Sequence, residues 1–300
     1  MVQEVLTACR VELDSSAQGF GPLRESTEWQ DYASALRDRL EEDGYLFIRG
    51  FYNEGEVLRA RRSILARLAA EGNIDLNFPI DDAMAIPDLQ MAFRPEFANK
   101  NKDVEALLYS EKVMEFYSGL FGETARHYDF TWLRAMAPGA NTFPHVDQVY
   151  MGRGTPNVLT LWTPLGNVPI RSGGLMVLEN SHKDDFITGA YAPMDVDAFC
   201  ENKPGERQTE AAGYKHGAFS FDPRAVQTRF GGRWLSADYR IGDLLTFKIT
   251  LMHASLDNHS KAIRLSTDSR YQPASQPADE RWVGENPPAH GDRSHRNLIC

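Results

Sequence analysis

The feature that most constrains this chain is a change of hydrophobic period near residue 125. Before that point, apolar residues recur every three or four positions, which predicts helices over 27–42, 53–72 and 104–121. After it, short apolar runs alternate with turn residues such as Pro-Gly and Gly-Gly, which predicts strands. The predicted strands cover residues 127–136, 144–151, 157–162, 175–178, 235–239, 244–251 and 263–271.

Helices followed by many short strands are typical of an α+β chain. We expect the β part to close as a double-stranded β-helix, a jelly-roll or cupin-like barrel, with the N-terminal helices packed on one sheet. A polar insertion with scattered aromatic residues is interpreted as a lid. One domain over 1–300 is predicted, with an N-terminal arm (1–25), a mainly helical support (26–122), a jelly-roll core (123–273) that contains the lid insertion (183–232), and a C-terminal tail (274–300).

The net charge and the cysteine content limit the kinds of partner and the cellular compartment that we expect for this chain. The formal net charge of −10 argues against nucleic acid or an anionic membrane as partner, because phosphate groups bind to concentrated positive charge. No apolar run approaches the roughly 20 residues of a membrane span, and the N-terminus lacks the pattern of a signal peptide. Three widely spaced cysteines, Cys9, Cys200 and Cys300, predict reduced thiols. We therefore expect a cytoplasmic protein that acts on a small molecule, with a homodimer as the candidate assembly.

Metal-binding chemistry is suggested by the motif His-x-Asp, although the tripeptide alone assigns nothing because it occurs four times. The four copies begin at His127, His145, His182 and His290. Residues i and i+2 of a strand point to one face, so His145 and Asp147 on the predicted strand 144–151 could both aim into a barrel. His182 and His290 lie in loop-like sequence. We therefore choose His145 and Asp147.

A third ligand is predicted at His253, at the end of the most strand-like run in the chain. Two imidazoles and one carboxylate hold iron while leaving part of its coordination sphere open, as oxygen activation requires. Arg264 follows His253 by eleven residues across a turn, and Ser266 faces the same way. A hairpin of that size returns Arg264 to the same cavity wall, where its guanidinium could hold a carboxylate.

In their order and spacing, these motifs resemble the phytanoyl-CoA dioxygenase family of iron(II)/2-oxoglutarate oxygenases. The resemblance is carried by residues 43–48, 145–147, 161–165, 173–182, 242–243, 253–258 and 264–273. It implies that His145, Asp147 and His253 ligate iron. It also implies a 2-oxoglutarate pocket formed by Arg264, Ser266, Trp162 and Ser255.

The activity implied by this resemblance is that of a dioxygenase using Fe(II), 2-oxoglutarate and O2. It would hydroxylate a C–H bond of a small-molecule metabolite or natural-product intermediate while 2-oxoglutarate is converted to succinate and CO2. The carboxylate of Asp147 favours hydroxylation, because related halogenases have a small residue there; desaturation, epoxidation and rearrangement stay open.

A non-catalytic jelly-roll binding protein with a vestigial metal site is the main alternative. A zinc hydrolase is disfavoured because the chain has no His-Glu-x-x-His. A serine hydrolase is disfavoured because it has no Gly-x-Ser-x-Gly.

Substrate contacts are harder to predict. Phe143, Tyr150 and Arg153 are candidates because they lie near the two predicted iron ligands of the strand 144–151. Further candidates are Arg94 with Phe93 in the loop upstream of the third helix, and Trp234 at the end of the insertion. The arginines favour a substrate with an anionic group. Among the other histidines, His182 is interpreted as a structural turn residue, His127 as a packing residue and His259 as a solvent-exposed one.

Overall fold

The structure is a computed structural model that describes residues 5–300. The strands are Thr7–Ala8 (β1), Val11–Glu12 (β2), Phe20–Pro22 (β3), Tyr45–Ile48 (β4), Ala125–His127 (β5), Trp132–Met136 (β6), Leu159–Pro164 (β7), Leu175–Leu178 (β8), Ala198–Cys200 (β9), Trp234–Ser236 (β10), Leu244–Lys248 (β11), His253–Ser255 (β12), Arg264–Pro273 (β13) and Arg296–Leu298 (β14). The α-helices are Ala33–Asp43 (α1), Glu54–Ala70 (α2), Lys102–Leu108 (α3), Glu111–Phe121 (α4), Gln148–Met151 (α5), Gln208–Ala211 (α6) and Pro223–Phe230 (α7). In the described chain, no helix is both long and apolar enough to cross a membrane.

Two sheets form the jelly roll. The major sheet has the order β4-β11-β7-β13-β5, with β6 also paired to β13, and the minor sheet has the order β12-β8-β10-β3. Apolar side chains from both sheets meet between them, among them Phe47, Trp162, Val177, Leu245 and Phe247, all buried. The predicted α+β jelly-roll fold is confirmed.

Helices cover the outer face of the major sheet, as predicted, but α1 begins later than the predicted residue 27. Thr27 instead begins a separate 3-10 turn, Thr27–Trp29, where its hydroxyl accepts a hydrogen bond from the backbone N–H of Arg49 (2.9 Å). By contrast, α2 begins as expected, since the side chain of Asn53 accepts the N–H groups of Gly55 and Glu56.

The predicted helix over 104–121 is two helices, α3 and α4. Tyr109 ends the first, where its hydroxyl bonds to Thr131 and its ring stacks on His127. Ser110 is extended (φ −59°, ψ 155°) and precedes the second helix. The contacts of Tyr109 with Thr131 and His127 interrupt the helix, although the spacing of apolar residues over 104–121 is continuous.

The predicted strand over 144–151 is wrong. His145 alone forms an antiparallel bridge, to His253, and Asp147 already has helical dihedral angles (φ −67°, ψ −27°) at the start of α5. The two side chains therefore converge through a turn from strand edge to helix, and not through the alternation of a strand.

Both chain ends contribute more than was predicted. Within the arm 1–25, β3 adds a parallel edge strand to the minor sheet beside β10. Within the tail 274–300, β14 pairs in parallel with β9 of the insertion. Cys200 and Cys300 form a disulfide next to that pair, so the prediction of three reduced thiols was wrong; Cys9 is free.

A buried charge cluster joins the insertion to the tail. The guanidinium of Arg281 contacts Asp195 (3.0 Å), Asp197 (2.7 Å) and Asp279 (2.5 Å). His290 also lies 2.8 Å from Asp197 through Nδ1. The insertion 183–232 and residues 279–300 thus form one layer, which we call the insertion–tail clasp.

Candidate metal centre and adjoining cavities

Three side chains converge inside the jelly roll. His145 and His253 place their Nε2 atoms 3.6 and 3.7 Å from Oδ1 of Asp147, and all three residues are buried. One ligand atom from each lies within 4.8 Å of the others. Two imidazole nitrogens and one carboxylate oxygen on one side of a point form the donor set that suits non-haem iron with open positions.

Backbone carbonyls fix both imidazoles. Nδ1 of His145 lies 2.8 Å from the carbonyl oxygen of Phe143, and Nδ1 of His253 lies 3.0 Å from that of Leu251. Each Nδ1 therefore carries the proton and donates it, which leaves Nε2 free as a ligand. Burial, followed by the nearby His145, lowers the pKa of His253 to about 3, so that imidazole is neutral at physiological pH.

Asp147 has its second oxygen occupied. Nη2 of Arg270 donates to Oδ2 at 2.8 Å, and the Thr160 hydroxyl donates to the same oxygen. Burial alone would raise the pKa of Asp147, but the Arg270 guanidinium, His253 and His145 together outweigh burial and hold the pKa well below its usual range. Oδ1 therefore remains for the metal, and the carboxylate is positioned as a single-oxygen ligand.

The predicted co-substrate residues line a small cavity beside the two histidines. Arg264, Trp162 and Ser255 lie on its wall, and Ser266 accepts a hydrogen bond from Nη1 of Arg264 at 2.6 Å. Arg264 is only 5% exposed, and its Nε has no hydrogen-bond partner among residues 5–300. A buried guanidinium without a carboxylate partner is costly, and Arg264 forms no ion pair within residues 5–300, so this pocket is suited to a carboxylate ligand.

A second cavity of about 310 Å³ adjoins the first and is lined by His145 and Asp147. Phe93, Phe143 and Tyr150, which the sequence offered as candidate substrate residues, line this cavity. His216 from the insertion and His290 from the tail complete its wall. The insertion–tail clasp therefore borders the space where a substrate would meet the metal.

Three predicted substrate residues are engaged elsewhere, which corrects their assignment. Arg94 pairs with Glu71 (2.7 Å) and with Glu96 outside the cavity. Arg153 is bound to Asp195 (2.8 Å) and Glu280 (3.0 Å) within the clasp. Trp234 is fully buried in the core of the minor sheet, where its Nε1 donates to a backbone carbonyl.

Sequence reasoning missed Arg134 and Arg270, which line these cavities. For Arg270 a signal was available: it follows Arg264 by six residues on one strand, and an even spacing puts both on the same face. For Arg134, on β6, the sequence offered no such signal, because its place opposite Ser266 is set by the register of two paired strands. His290 could not be found this way, because the tail gave no predicted element.

The competing histidines lie outside the metal centre. His127 stacks on Tyr109 with ring centroids 3.9 Å apart and borders a separate cavity of about 760 Å³. His182 packs against Gly44, and its Nε2 lies 3.1 Å from the carbonyl oxygen of Glu41 at the end of α1. Exposed His259 contacts the Thr7 hydroxyl.

A His–Asp–His donor set beside a buried arginine, inside a jelly roll, defines the class of non-haem iron(II)/2-oxoglutarate oxygenases. Comparison with known proteins agrees with this class. The family model described as "Phytanoyl-CoA dioxygenase (PhyH)" matches residues 40–266. The chain therefore belongs to the phytanoyl-CoA dioxygenase family, as its sequence motifs predicted.

Individual relatives are distant. A 1-deoxypentalenic acid 11-beta-hydroxylase from Streptomyces exfoliatus is 26% identical over 261 residues, covering 84% of this chain and 85% of the relative. Among solved structures, the epimerase SnoN from nogalamycin biosynthesis is 18% identical, with a TM-score of 0.57 over 88% of this chain and 97% of that one. The carbocyclase SnoK from the same biosynthesis is 17% identical, with a TM-score of 0.58 over 89% and 91%. At these identities the solved structures support the fold alone.

Proposed function

We propose that this protein is an Fe(II)/2-oxoglutarate-dependent dioxygenase that hydroxylates a C–H bond of a small-molecule metabolite or natural-product intermediate. The observation that carries the proposal is the donor set of His145, Asp147 and His253 with a buried, partly unpartnered Arg264 alongside. Bound iron(II) and 2-oxoglutarate would supply oxygen activation, with release of succinate and CO2. A vestigial binding protein would have no use for this combination.

Each part of the site has a distinct task. The imidazoles of His145 and His253 and Oδ1 of Asp147 would hold the metal from one side. Arg264, supported by Ser266, would bind the distal carboxylate of 2-oxoglutarate, and Trp162 and Ser255 would form the walls of its pocket. The clasp would exclude water from the space around the substrate.

Hydroxylation is favoured over other outcomes by two facts. Asp147 occupies the position that related halogenases leave small, and the two curated relatives, from Streptomyces exfoliatus and Streptomyces arenae, are named as hydroxylases. Solved neighbours are named as an epimerase and a carbocyclase, so the same fold also carries other chemistry. The product therefore has to be identified directly.

The test is an anaerobic titration of the metal-free protein with iron(II) and 2-oxoglutarate. We expect the metal-to-ligand charge-transfer absorption of the chelated keto acid to appear, and succinate to form when oxygen and a substrate are added. Absence of that absorption at saturating iron and 2-oxoglutarate would reject the proposal. Screening metabolites for stimulated succinate release then identifies the substrate.

Variants of the His-x-Asp motifs at His127 and His145 test which of the two motifs binds iron. His145→Ala and Asp147→Ala should abolish the absorption and all turnover. His127→Ala should keep both, because His127 lies in another cavity. Loss of iron binding in the last variant would contradict the ligand assignment.

A cytoplasmic location and a homodimer stay predictions. The Cys200–Cys300 disulfide counts against the first, because such bonds persist mainly in oxidising compartments. Fractionation and light scattering would test them. The single-domain organisation is likewise proposed, and one cooperative unfolding transition is its expected signature.

A further inference from the structure

We infer that the substrate carries a carboxylate, and that Arg134 binds this group at the boundary between the two cavities. The inference rests on the proposed function, because it places the substrate in the cavity next to the iron ligands. It goes further by naming the charge of the substrate and the residue that recognises it.

Arg134 is the charged residue shared by both cavities. It borders the co-substrate pocket together with Arg264, and it also borders the substrate cavity together with Phe143. Its Nε donates to Oδ2 of Asp268 at 3.2 Å, and this is the one carboxylate it contacts within residues 5–300. The side chain of Arg134 is 24% exposed. Both terminal nitrogens of the guanidinium are therefore available to a ligand.

The charge balance of the two cavities leaves one positive charge in excess. Three guanidinium groups line them, those of Arg134, Arg264 and Arg270, against two carboxylates, those of Asp147 and Asp268. Iron(II) adds two positive charges and 2-oxoglutarate two negative ones, and the two histidines that would ligate the iron bind it as neutral imidazoles. A substrate with one carboxylate brings the sum to zero. In an enclosed site such a balance is favourable, because unpaired charge is expensive there.

The position of the excess charge points to Arg134. Arg270 already holds Asp147, with its guanidinium 4.1 Å from the ring centre of Trp132. Arg264 would be occupied by 2-oxoglutarate. Arg134 remains, and the aromatic rings of Phe93, Phe143 and Tyr150 line the same cavity. This combination fits an anion with an apolar body, held at one end by a guanidinium fork.

The test uses a matched pair of small probes, benzoate and benzamide, which differ in charge and little in shape. Each is titrated into the anaerobic complex of the full-length protein with iron(II) and saturating 2-oxoglutarate, and its affinity is measured from broadening of its proton resonances by the paramagnetic iron. We expect benzoate to bind about tenfold more tightly than benzamide, the difference typical of a hydrogen bond to a charged group. Arg134→Gln should remove that preference, and Arg134→Lys should keep part of it.

A control variant and a check on folding and 2-oxoglutarate binding accompany these measurements. Arg59→Gln removes an exposed arginine of α2 and should leave the preference intact. The charge-transfer absorption of every variant reports that the protein is folded and that 2-oxoglutarate is still bound. Its absence in the unmodified protein would overturn the proposed function itself.

With that absorption present, four results would overturn this inference alone. They are equal affinity for the two probes, a preference that survives Arg134→Gln, displacement of 2-oxoglutarate by benzoate, and no binding of either probe at millimolar concentration.

Discussion

Nη2 of Arg270 lies 2.8 Å from Oδ2 of Asp147, and both residues are almost fully buried. Nε and Nη1 of Arg270 have no hydrogen-bond partner within the part of the chain that the structure describes. The guanidinium is thus committed to the carboxylate and to the face of Trp132. It fixes one oxygen of Asp147 so that the other points between the two histidines.

Replacing Arg270 should therefore weaken iron binding. In Arg270→Met we expect the affinity for iron(II) to fall about 10- to 100-fold, the usual cost of losing a residue that orients a metal ligand. Anaerobic titration with iron(II) measures this. Arg233→Met, which breaks the half-buried pair with Glu179, is the matched control and should bind iron normally. Unchanged affinity in Arg270→Met would mean that Thr160 alone positions Asp147.

Arg264 should control the affinity for 2-oxoglutarate. Burial lowers the pKa of Arg264 to about 10, which still leaves it charged at neutral pH. We expect Arg264→Gln to raise the half-saturating concentration of 2-oxoglutarate by roughly 10- to 100-fold, because a hydrogen bond to a charged group is lost. The charge-transfer absorption measures it, and Arg264→Lys should fall in between. Equal half-saturation in all three proteins would place the keto acid elsewhere.

The disulfide should stabilise the clasp. It closes a loop of 100 residues between Cys200 and Cys300, for which chain entropy predicts up to about 5 kcal/mol. We expect Cys300→Ser to lower the free energy of unfolding, measured with urea in the absence of reductant, and Cys9→Ser to leave it nearly unchanged.

Thiol counting gives an independent check of the same pairing. Burial raises the pKa of the Cys9 thiol to about 12, so it should react slowly in the native state. Denatured protein should show one reactive thiol without reductant and all three after reduction. Three thiols in protein that has never been reduced would contradict the disulfide.

His182 should make stability depend on pH. Burial lowers the pKa of His182, and Lys183 and Lys248 oppose its protonation while the carbonyl oxygen and side chain of Glu41 favour it. The unfolded state therefore binds the proton more readily. The contribution of His182 to stability is complete above pH of about 6.5 and is lost as the pH falls towards its lower folded-state pKa.

Thermal unfolding between pH 8 and pH 5 tests this sign. We expect the midpoint temperature of unfolding to fall less on acidification in His182→Gln than in the unmodified protein. Exposed His259→Gln is the control and should follow the unmodified curve. A steeper loss in His182→Gln would show that the imidazole is protonated in the folded state.

Local signals allowed much of this fold to be predicted. Strand runs such as β11 and β13, and the capped helix α2, are encoded by neighbouring residues. The spacing from His253 to Arg264 works because a hairpin returns the chain to one wall. These relationships depend on periodicity and turn length, which a sequence displays directly.

Other relationships depend on contacts between distant segments. Asp147 turns into α5 where alternation predicted a strand, because the segment has only one bridge, to His253, to hold it extended. Pairing of Cys200 with Cys300 requires β9 and β14 to be neighbours, which no local pattern indicates. Such arrangements arise from tertiary packing, which overrides local preference.

The composition of the substrate cavity also has a consequence for biosynthesis. Its wall runs from Ala92 to His290, and the clasp joins residues of the insertion to the last strand, β14. A ribosome delivers the chain from its N-terminus, so the helices and much of the barrel are available before this wall can close. The nascent protein can thus expose His145, Asp147 and His253 while the enclosure of this cavity is still incomplete.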